Sequence, residues 1–224
     1  MRIVNVGICG IGTVGSGVFN VLSRNLTEIN SRANCQINIS QIACRKDNPD
    51  IDATSTHVTR DIFDVAKNPD INIVVELIGG TTIAYELVMM ALKHGKHVVT
   101  ANKALIAEHG MSIFEEAESR GLLVCFEAAV AGGIPIIKSL REGLSANRIN
   151  WLAGIINGTT NFILSEMDAK GREFSDVLAE AQMKGYAEAD PTFDVEGIDA
   201  SHKLAILASI AFGMPLSLDG LFTD

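Results

Sequence analysis

The 224-residue sequence has no strongly basic stretch, no paired-cysteine motif and no apolar run long enough to span a bilayer. The 27 acidic residues outnumber the 18 lysines and arginines, and the formal net charge of −9 argues against a nucleic-acid partner. The short apolar runs argue against a membrane partner. The N terminus lacks a signal-peptide pattern, because Arg2 leads directly into a short apolar segment that ends in glycines.

The few cysteines exclude a disulfide framework and a zinc site. Cys9, Cys35, Cys44 and Cys125 form no CxxC motif, and none has a histidine at metal-ligand spacing. Cys9 and Cys44 lie in apolar runs, which is typical of buried thiols in a reducing compartment. The sequence therefore predicts a cytoplasmic protein. Its length suits one large domain or two small ones.

Short apolar strands and amphipathic helices alternate over the first 130 residues. The predicted strands are residues 3–9, 37–44, 71–79, 97–101 and 122–128, and the predicted helices are 14–26, 83–93 and 104–119. This alternation implies a parallel sheet with helices on both faces. We therefore predict an α/β domain over residues 1–130, with a Rossmann-type doubly wound sheet.

The composition changes after residue 130. Residues 129–135, AVAGGIP, are small and glycine-rich, which predicts a crossover into a second domain over residues 131–224. In that domain the pattern predicts a helix over 136–144, a strand over 149–156 and helices near 161–167, 175–184 and 195–212. This mixture indicates an α+β domain.

A glycine motif, Gly10-Ile-Gly12-Thr-Val-Gly15, lies between the first predicted strand and the first helix. In this context the first glycine allows a tight turn, the second lets the backbone approach a pyrophosphate, and the third lets helix pack on strand. The helix N-terminus then favours the negative charge of the phosphates. The motif predicts dinucleotide binding, and a purely structural glycine turn is the alternative.

Two cations, Arg45 and Lys46, follow the second predicted strand, and Asp47 comes only after them. An NAD enzyme usually places an acidic residue at this strand end to bind the ribose 2′-hydroxyl, whereas cations suit the 2′-phosphate of NADP. The order therefore favours NADP and leaves NAD possible. A solvated turn is the other interpretation.

Two more strand ends are candidate cofactor contacts, because open α/β sheets bind ligands there. Residues 78–82, IGGTT, end the third predicted strand, and the glycines let the backbone approach the ribose-nicotinamide half. Residues 100–103, TANK, end the fourth and place Lys103 near the nicotinamide. A lysine at a helix start opposes the helix dipole, which makes a purely structural role less favourable.

The segment from Glu188 to Lys203 carries five acidic residues before a single lysine and then an apolar run. Asp199 and Lys203 are four residues apart, so a helix from about Val195 would place them on one face. Carboxylates suit the ammonium of a zwitterionic substrate, and a lysine suits its proton chemistry. The alternative is an acidic loop with a surface ion pair. His202 would face away from Lys203, so we expect a surface or core histidine.

Five motifs occur together and in order: GxGxxG at 10–15, TANK at 100–103, FEAAVAGGIPII at 126–137, GIINGTTNFIL at 154–164 and GYAEADPTFDVEGIDASHK at 185–203. This set resembles homoserine dehydrogenase over essentially the whole chain. The resemblance implies an oxidoreductase that reduces L-aspartate 4-semialdehyde to L-homoserine with NAD(P)H, in threonine and methionine biosynthesis.

The resemblance also implies roles for individual residues. Lys203 matches the proton donor, with Asp199 beside it. Glu188 matches the carboxylate that holds the substrate amino group, and the residues matching the rest of that pocket are Asp194, Tyr186, Thr159 and Lys103. Lys103 also matches a lysine placed between nicotinamide and substrate. Together with the glycine motif and the strand ends described above, this gives the predicted cofactor contacts: Gly10, Gly12, Thr13, Val14, Gly15, Arg45, Lys46, Gly80, Thr81 and Lys103. The carbonyl oxygens matching a monovalent-cation site, for an ion such as sodium, are those of Glu127, Val130, Gly132 and Ile134.

Family members continue well past residue 224, so the resemblance implies a fragment in which the substrate and dimerisation domain is incomplete. A homodimer is expected for the full-length protein. A dinucleotide-binding fragment or module without turnover is the alternative. A further alternative, aldehyde oxidation through a nucleophilic cysteine, would need Cys125. We expect that thiol to be buried in an apolar strand and unreactive.

Overall fold

The computed structural model describes residues 2–223, and the chain divides into two compact units. The first unit ends at Gly133 and the second begins at Ile134. None of the helices within residues 2–223 combines the length and the apolar character that crossing a membrane requires.

The first unit is built on a six-stranded sheet whose strands are all parallel. The strands are β1 (Ile3–Cys9), β2 (Gln36–Ala43), β3 (His57–Thr59), β4 (Ile73–Glu76), β5 (His97–Thr100) and β6 (Val124–Cys125). Their order across the sheet is β3-β2-β1-β4-β5-β6, so the chain leaves β1 first to one side and then to the other. The doubly wound Rossmann-type sheet predicted from the sequence is confirmed.

Five helices accompany this sheet. They are α1 (Thr13–Arg24), α2 (Leu26–Ala33), α3 (Ile62–Lys67), α4 (Thr82–Lys93) and α5 (Lys103–Ser119). Leu87 and Val88 of α4 are fully buried, as are Val74 and Val98 of the sheet. The sequence pattern did not predict α2, whose eight described residues are all at least partly exposed and so carry no buried stripe. It also missed the six-residue α3 and the three-residue β3.

The register of the central strands brings three polar or thiol side chains side by side. Cys9 pairs with Glu76 across β1 and β4, and Glu76 pairs with Thr100 across β4 and β5. Each of the three is the last residue of its strand. The carboxyl edge of the sheet therefore carries a row of three groups at the position where the strand order reverses, which is where ligands bind in such sheets.

The second unit consists of helices connected by irregular segments. The helices are α6 (Ile136–Lys138), which continues into a π-helical turn (Ser139–Gly143), α7 (Gly158–Lys170), α8 (Phe174–Met183), α9 (Thr192–Val195) and α10 (Ile198–Phe212). A small apolar core between α7 and α8 is formed by Ile163, Val177, Ala181 and Ala187. This core packs α7 against α8 and the residues that follow α8.

In the second unit one sequence prediction is wrong, and one predicted helix forms but starts later than expected. The predicted strand over 149–156 does not form, because a strand needs a ladder partner and none of the residues within 134–223 pairs with it. The helix predicted from Val195 begins at Ile198 instead. Gly197 adopts a left-handed conformation, with φ of 72°, and this separates the short α9 from α10.

Candidate active site

The turn between β1 and α1 has a backbone path that only glycine can follow at two positions. Gly10 has φ of 96°, and a Cβ atom there would lie 2.5 Å from the carbonyl oxygen of Leu77. A Cβ atom at Gly15 would lie 1.9 Å from the carbonyl oxygen of Gly10. Around Gly12, in contrast, no described atom lies within 4 Å of such a Cβ. The turn leaves no space for a side chain at Gly10 or Gly15. At Gly12 it is open, so a ligand could approach the protein backbone there.

The N-terminus of α1 is available to an anion. Gly12 precedes the helix, no described side chain caps it, and its first turn carries no acidic residue. Thr13 and Val14, the first two helical residues, are exposed. The Ser16 hydroxyl donates back to the carbonyl of Gly12, at 2.9 Å, and leaves the helix start uncovered. The unpaired N–H groups of a first helical turn and the helix dipole both favour a phosphate at this position.

The cationic loop after β2 is held beside this turn. The backbone N–H of Gly10 donates to the carbonyl of Ala43 at 2.9 Å, and the Asn48 side chain donates to the carbonyl of Ile11, also at 2.9 Å. Arg45 and Lys46 lie in the loop between these two anchors and are exposed. The structure thus brings the predicted cations next to the predicted phosphate turn.

A third cation, Arg60, joins this loop and was missed from the sequence. Its guanidinium donates to the carbonyl of Cys44 at 3.1 Å and forms an ion pair with Asp47 at 2.7 Å. Asp47 is the nearest acidic residue after β2, and the ion pair engages its carboxylate. Arg60 follows β3, and because the sequence did not reveal that strand, it offered no register with which to place Arg60.

The loops after β4 and β5 are joined by a side chain. Gly79 and Gly80 both adopt left-handed conformations, with φ of 73° and 69°. The Asn102 side chain donates to the carbonyl of Gly80 at 2.6 Å, and its oxygen accepts from the N–H of Leu105 at 3.1 Å, which caps α5. The predicted contacts Gly80, Thr81 and Lys103 therefore belong to two connected loops.

In the second unit, Lys203 and Asp199 form a buried ion pair one turn apart on α10. The lysine Nζ lies 2.6 Å from Asp199 Oδ2, and the two side chains are only 18% and 7% exposed. The lysine also donates to the carbonyl of Ile156 at 2.6 Å. The predicted pairing on one helix face is confirmed, and burial excludes the alternative of a solvated surface pair.

Asn157, which the sequence reasoning did not single out, connects the acidic residues. Its side-chain nitrogen donates to Asp194 Oδ1 at 2.7 Å and to Asp199 Oδ2 at 2.9 Å. Its oxygen accepts from the N–H of Thr160 at 2.8 Å and caps α7. An asparagine immediately before a helix start is an N-cap signal that could have drawn attention to it. We name Lys203, Asp199, Asn157 and Asp194 the acidic-lysine cluster.

The other predicted substrate residues lie around α7 and α8. The Thr159 hydroxyl donates to the backbone carbonyl of Tyr186 at 2.6 Å. The Tyr186 ring is half exposed and meets Phe162 edge-on, with 5.1 Å between ring centroids. Glu188 is exposed, and its backbone carbonyl accepts from the Gln182 side chain at 3.1 Å. The structure thus places Glu188 on the surface and not within the acidic-lysine cluster.

The sequence also led to expectations for the burial of one histidine and three cysteines. His202 is buried and meets the Phe193 ring edge-on at 5.5 Å, in agreement with a core histidine. Cys9 and Cys44 are buried as predicted, and burial together with the nearby Glu76 carboxylate raises the pKa of the Cys9 thiol. Cys125 was predicted to be buried and is exposed, because β6 is a two-residue strand at the sheet edge.

The predicted cation ligands lie near a bend with left-handed backbone. Glu127 begins a 3₁₀ turn, and Ala131 and Gly132 have φ of 60° and 55°. The carbonyl of Glu127 accepts from the N–H of Val130 at 3.3 Å. Within the second unit, the carbonyl of Ile134 accepts from the N–H of Ile136 at 2.8 Å.

Comparison with known proteins gives consistent matches over both units. A family model described as the NAD-binding domain of homoserine dehydrogenase matches residues 10–127, and a second, described as homoserine dehydrogenase, matches residues 135–223. The homoserine dehydrogenase of Pseudomonas aeruginosa is 69% identical over 224 residues, which are 100% of this chain and 52% of that protein. The chain spans about half the length of the curated relatives it matches.

Solved structures show the same similarity. A crystal structure of a homoserine dehydrogenase from Thiobacillus denitrificans superposes with a TM-score of 0.93 at 58% identity, covering 100% of this chain and 52% of that one. A hyperthermophilic archaeal homoserine dehydrogenase in complex with NADPH superposes with a TM-score of 0.83 at 27% identity, covering 99% and 75%.

Proposed function

The chain belongs to the homoserine dehydrogenase family, and from that premise we propose that it carries the NAD(P)-dependent reduction of L-aspartate 4-semialdehyde to L-homoserine. The buried Lys203–Asp199 pair is the observation on which this proposal depends most. A lysine held at 2.6 Å from a carboxylate in a largely buried position is poised for proton chemistry and is not a solubilising surface group.

Lys203 can act as the proton donor. Of the three N–H groups of its ammonium, one is directed at Asp199 and one at the carbonyl of Ile156. Among the described contacts, one donor is left for the aldehyde oxygen of the substrate. When hydride reaches the aldehyde carbon, negative charge develops on that oxygen, and a fixed ammonium both stabilises the charge and supplies the proton. Asp199 orients the ammonium.

Asp194 and Glu188 are proposed to bind the ammonium group of the substrate. The side-chain amide of Asn157 donates to both Asp194 and Asp199. Because Asp199 is paired with Lys203, these bonds fix the position of Asp194 relative to Lys203. Glu188 is exposed, so its carboxylate is accessible to a substrate. Thr159, Tyr186 and Lys103 remain predicted pocket residues. Individual replacement of Asp194 and Glu188 by the matching amides should raise KM for the semialdehyde more than it lowers kcat.

NADP is the proposed cofactor, and it supplies the hydride when bound. The uncapped start of α1, with Gly10, Gly12, Thr13, Val14 and Gly15, suits its pyrophosphate. Arg45 and Lys46 suit the 2′-phosphate, and Arg60 adds a third cation while engaging Asp47, the acid that could otherwise bind a 2′-hydroxyl. Gly80, Thr81 and Lys103 are proposed for the ribose-nicotinamide half. The ratio of kcat/KM for NADPH to that for NADH tests this preference.

The decisive experiment is NADPH oxidation by the chain with L-aspartate 4-semialdehyde, compared with Lys203→Ala. Loss of a positioned proton donor typically costs about 10²- to 10⁴-fold in rate. Lys170→Ala is the matched control, because Lys170 is also paired with a glutamate four residues away but is well exposed. We expect the control to retain full activity.

Two results would contradict the proposal. Undiminished turnover in Lys203→Ala would remove its assigned role. NADPH binding without turnover by the unsubstituted chain would show a dinucleotide-binding fragment, and the enzyme assignment would then apply only to a longer protein that contains it. Aldehyde oxidation through Cys125 is not favoured, because both family models and the similar proteins are homoserine dehydrogenases. The exposure of Cys125 means that burial no longer argues against this alternative.

Three further expectations stay predictions. The carbonyls of Glu127, Val130, Gly132 and Ile134 are proposed to bind a monovalent cation, which can be tested by exchanging sodium for tetramethylammonium.

A homodimer is proposed for the whole protein. The exposed Trp151 and Ile155 of the irregular segment 149–156 support an apolar interface. Sedimentation of the purified protein measures its oligomeric state. The cytoplasmic location is supported by four free cysteines, which are typical of a reducing compartment.

A further inference from the structure

Glu76, the last residue of β4, is a fully buried carboxylate outside the acidic-lysine cluster. Burying a charge is costly unless hydrogen bonds compensate for the lost water. Both of its oxygens are engaged: Oε1 accepts from the N–H of Ile78 at 2.9 Å, and Oε2 accepts from the Thr100 hydroxyl at 2.6 Å. The first bond holds the start of the loop after β4, and the second crosses to β5.

The hydrogen bonds continue from Thr100 and return to the same loop. The Thr100 hydroxyl oxygen accepts from the N–H of Asn102 at 2.9 Å. The Asn102 side chain donates to the carbonyl of Gly80 at 2.6 Å, only two residues beyond Ile78. Glu76, Ile78, Gly80, Asn102 and Thr100 therefore form a closed circuit, which we call the carboxylate ring. It joins the loops after β4 and β5 at the carboxyl edge of the sheet.

The loop after β4 depends on this ring for its shape. Gly79 and Gly80 both have left-handed backbone, and no described atom lies within 4 Å of where their Cβ atoms would be. Glycines in open space are conformationally free, so side-chain packing does not fix this loop at these positions. The bonds to Ile78 and Gly80 fix it from both ends of the glycine pair.

We propose that Glu76 is a positioning residue for the nicotinamide half of the cofactor. Through the carboxylate ring it fixes the backbone of Gly80 and Thr81 and the start of α5 at Lys103. This inference rests on the proposed function, because these residues are the proposed contacts of the ribose-nicotinamide half. The adenosine half, at Arg45 and Lys46, lies beyond β1 on the other side of the sheet order and is not held by this ring.

The substitution Glu76→Gln tests the ring with almost no change of shape. The amide oxygen can still accept from Ile78, but the amide nitrogen cannot accept from the Thr100 hydroxyl. That hydroxyl then loses a charged acceptor in a buried place, a loss that typically weakens an interaction about tenfold or more. Thr100→Val removes the same bond and also the bond from the N–H of Asn102, while it retains the branched shape at a strand position.

The experiment measures the Kd values of two ligands by fluorescence and calorimetry: NADPH, and adenosine 2′,5′-bisphosphate, which contains only the adenosine half. For Glu76→Gln and for Thr100→Val we expect the Kd of NADPH to rise about tenfold, with that of the bisphosphate unchanged. The double variant should bind NADPH no worse than Thr100→Val alone, because Thr100→Val already removes the bond that Glu76→Gln breaks.

Thr56→Val is the matched control. Thr56 is also buried, and its hydroxyl donates to the carbonyl of Ile39 at 3.2 Å, beside β2 and away from the ring. We expect it to change neither Kd. Equal weakening of both ligands by the ring variants, or an unchanged Kd for NADPH, would overturn the positioning role. If Glu76→Gln does not fold, Thr100→Val decides the question.

Failure of the proposed function would look different. An unsubstituted chain that binds NADPH but does not reduce the semialdehyde would disprove turnover by this chain, while the two Kd values would still decide the role of Glu76. A chain whose ring variants bind like the parent would disprove the positioning role and leave turnover intact.

Discussion

The candidate sites of the two units are formed by different kinds of group. In the first unit the backbone forms the site: glycine turns, an uncapped helix start and the aligned ends of parallel strands. In the second unit side chains form it, and the acidic-lysine cluster is joined by bonds between residues 37 and 42 positions apart. We therefore expect the site of the first unit to be disrupted when an added side-chain atom meets its backbone. We expect the site of the second unit to be disrupted when one hydrogen-bond donor is lost.

The largest effect is expected from adding one carbon to the glycine turn. In Gly15→Ala the new Cβ atom would meet the carbonyl oxygen of Gly10 at 1.9 Å, and a backbone atom cannot swing aside. We expect the turn to open and NADPH binding to be lost, as measured by calorimetry.

Gly17→Ala, in the same helix, is the control for this prediction. No described atom lies within 4 Å of its Cβ position, and alanine is the better helix former by about 0.5–1 kcal/mol. The control should bind NADPH normally and unfold at a slightly higher temperature. Normal binding by Gly15→Ala would show that the turn adapts and would weaken the distinction between the two units.

A smaller effect is expected from changing one donor in the second unit. Asn157→Asp keeps the oxygen that caps α7 but replaces a donor with an acceptor, at 2.7 and 2.9 Å from two carboxylate oxygens. Hydrogen bonds to charged groups contribute about 1.5–3 kcal/mol, so we expect kcat for the semialdehyde to fall about tenfold to a hundredfold.

The matched control is Asn161→Asp, an exposed asparagine one turn further along α7. It should leave kcat unchanged. Retention of full kcat by Asn157→Asp would mean that Asp199 and Asp194 are positioned without the amide, contrary to the side-chain origin of this site.

The smallest effect is expected at the surface of the second unit. Glu180 pairs with Lys184 and with Arg172, and these hydrogen bonds lower the pKa of its carboxyl from 4.5 to about 2. A carboxyl whose pKa is lower in the folded state stabilises the fold above its ordinary pKa, and this contribution is lost as the pH falls through about 4.5 towards 2.

Removal of this carboxylate should therefore flatten the pH dependence of unfolding in that window. Because Glu180 is at the surface, Glu180→Gln should lower the thermal midpoint at pH 7 by about 2 °C or less. Glu86→Gln, an exposed position on α4 of the first unit, serves as the control. An unchanged acid profile in Glu180→Gln would show that the ion pairs contribute nothing measurable.

The difference between a site formed by the backbone and one formed by side chains also explains which residues could be predicted from the sequence. Gly10, Gly12 and Gly15 act within six consecutive residues, so a local motif was sufficient to place the phosphate turn. Asn157 donates to partners 37 and 42 residues away, and no local pattern contains that information. Only the i,i+4 pair of Lys203 and Asp199 was readable from helix periodicity, and the family resemblance suggested its role.

The errors have the same physical origin. The strand β3 has three residues, too few for a period, and Arg60 was therefore missed with it. Residues 149–156 have the apolar character of a strand, but pairing decides whether a strand forms, and a single segment does not encode its partner. Cys125 was placed in the core because its neighbours are apolar, although an edge position exposes it.

The uncapped start of α1 affects the stability of the folded protein. The unpaired N–H groups at the start of this helix would be completed by a bound phosphate, so under the proposed function the folded state and the dinucleotide are thermodynamically linked. At a free NADPH concentration one hundred times its Kd, this linkage adds about 2.7 kcal/mol to the free energy of unfolding. The resistance of the first unit to proteolysis should therefore rise and fall with the concentration of the free dinucleotide, so that cofactor supply sets the lifetime of the folded chain.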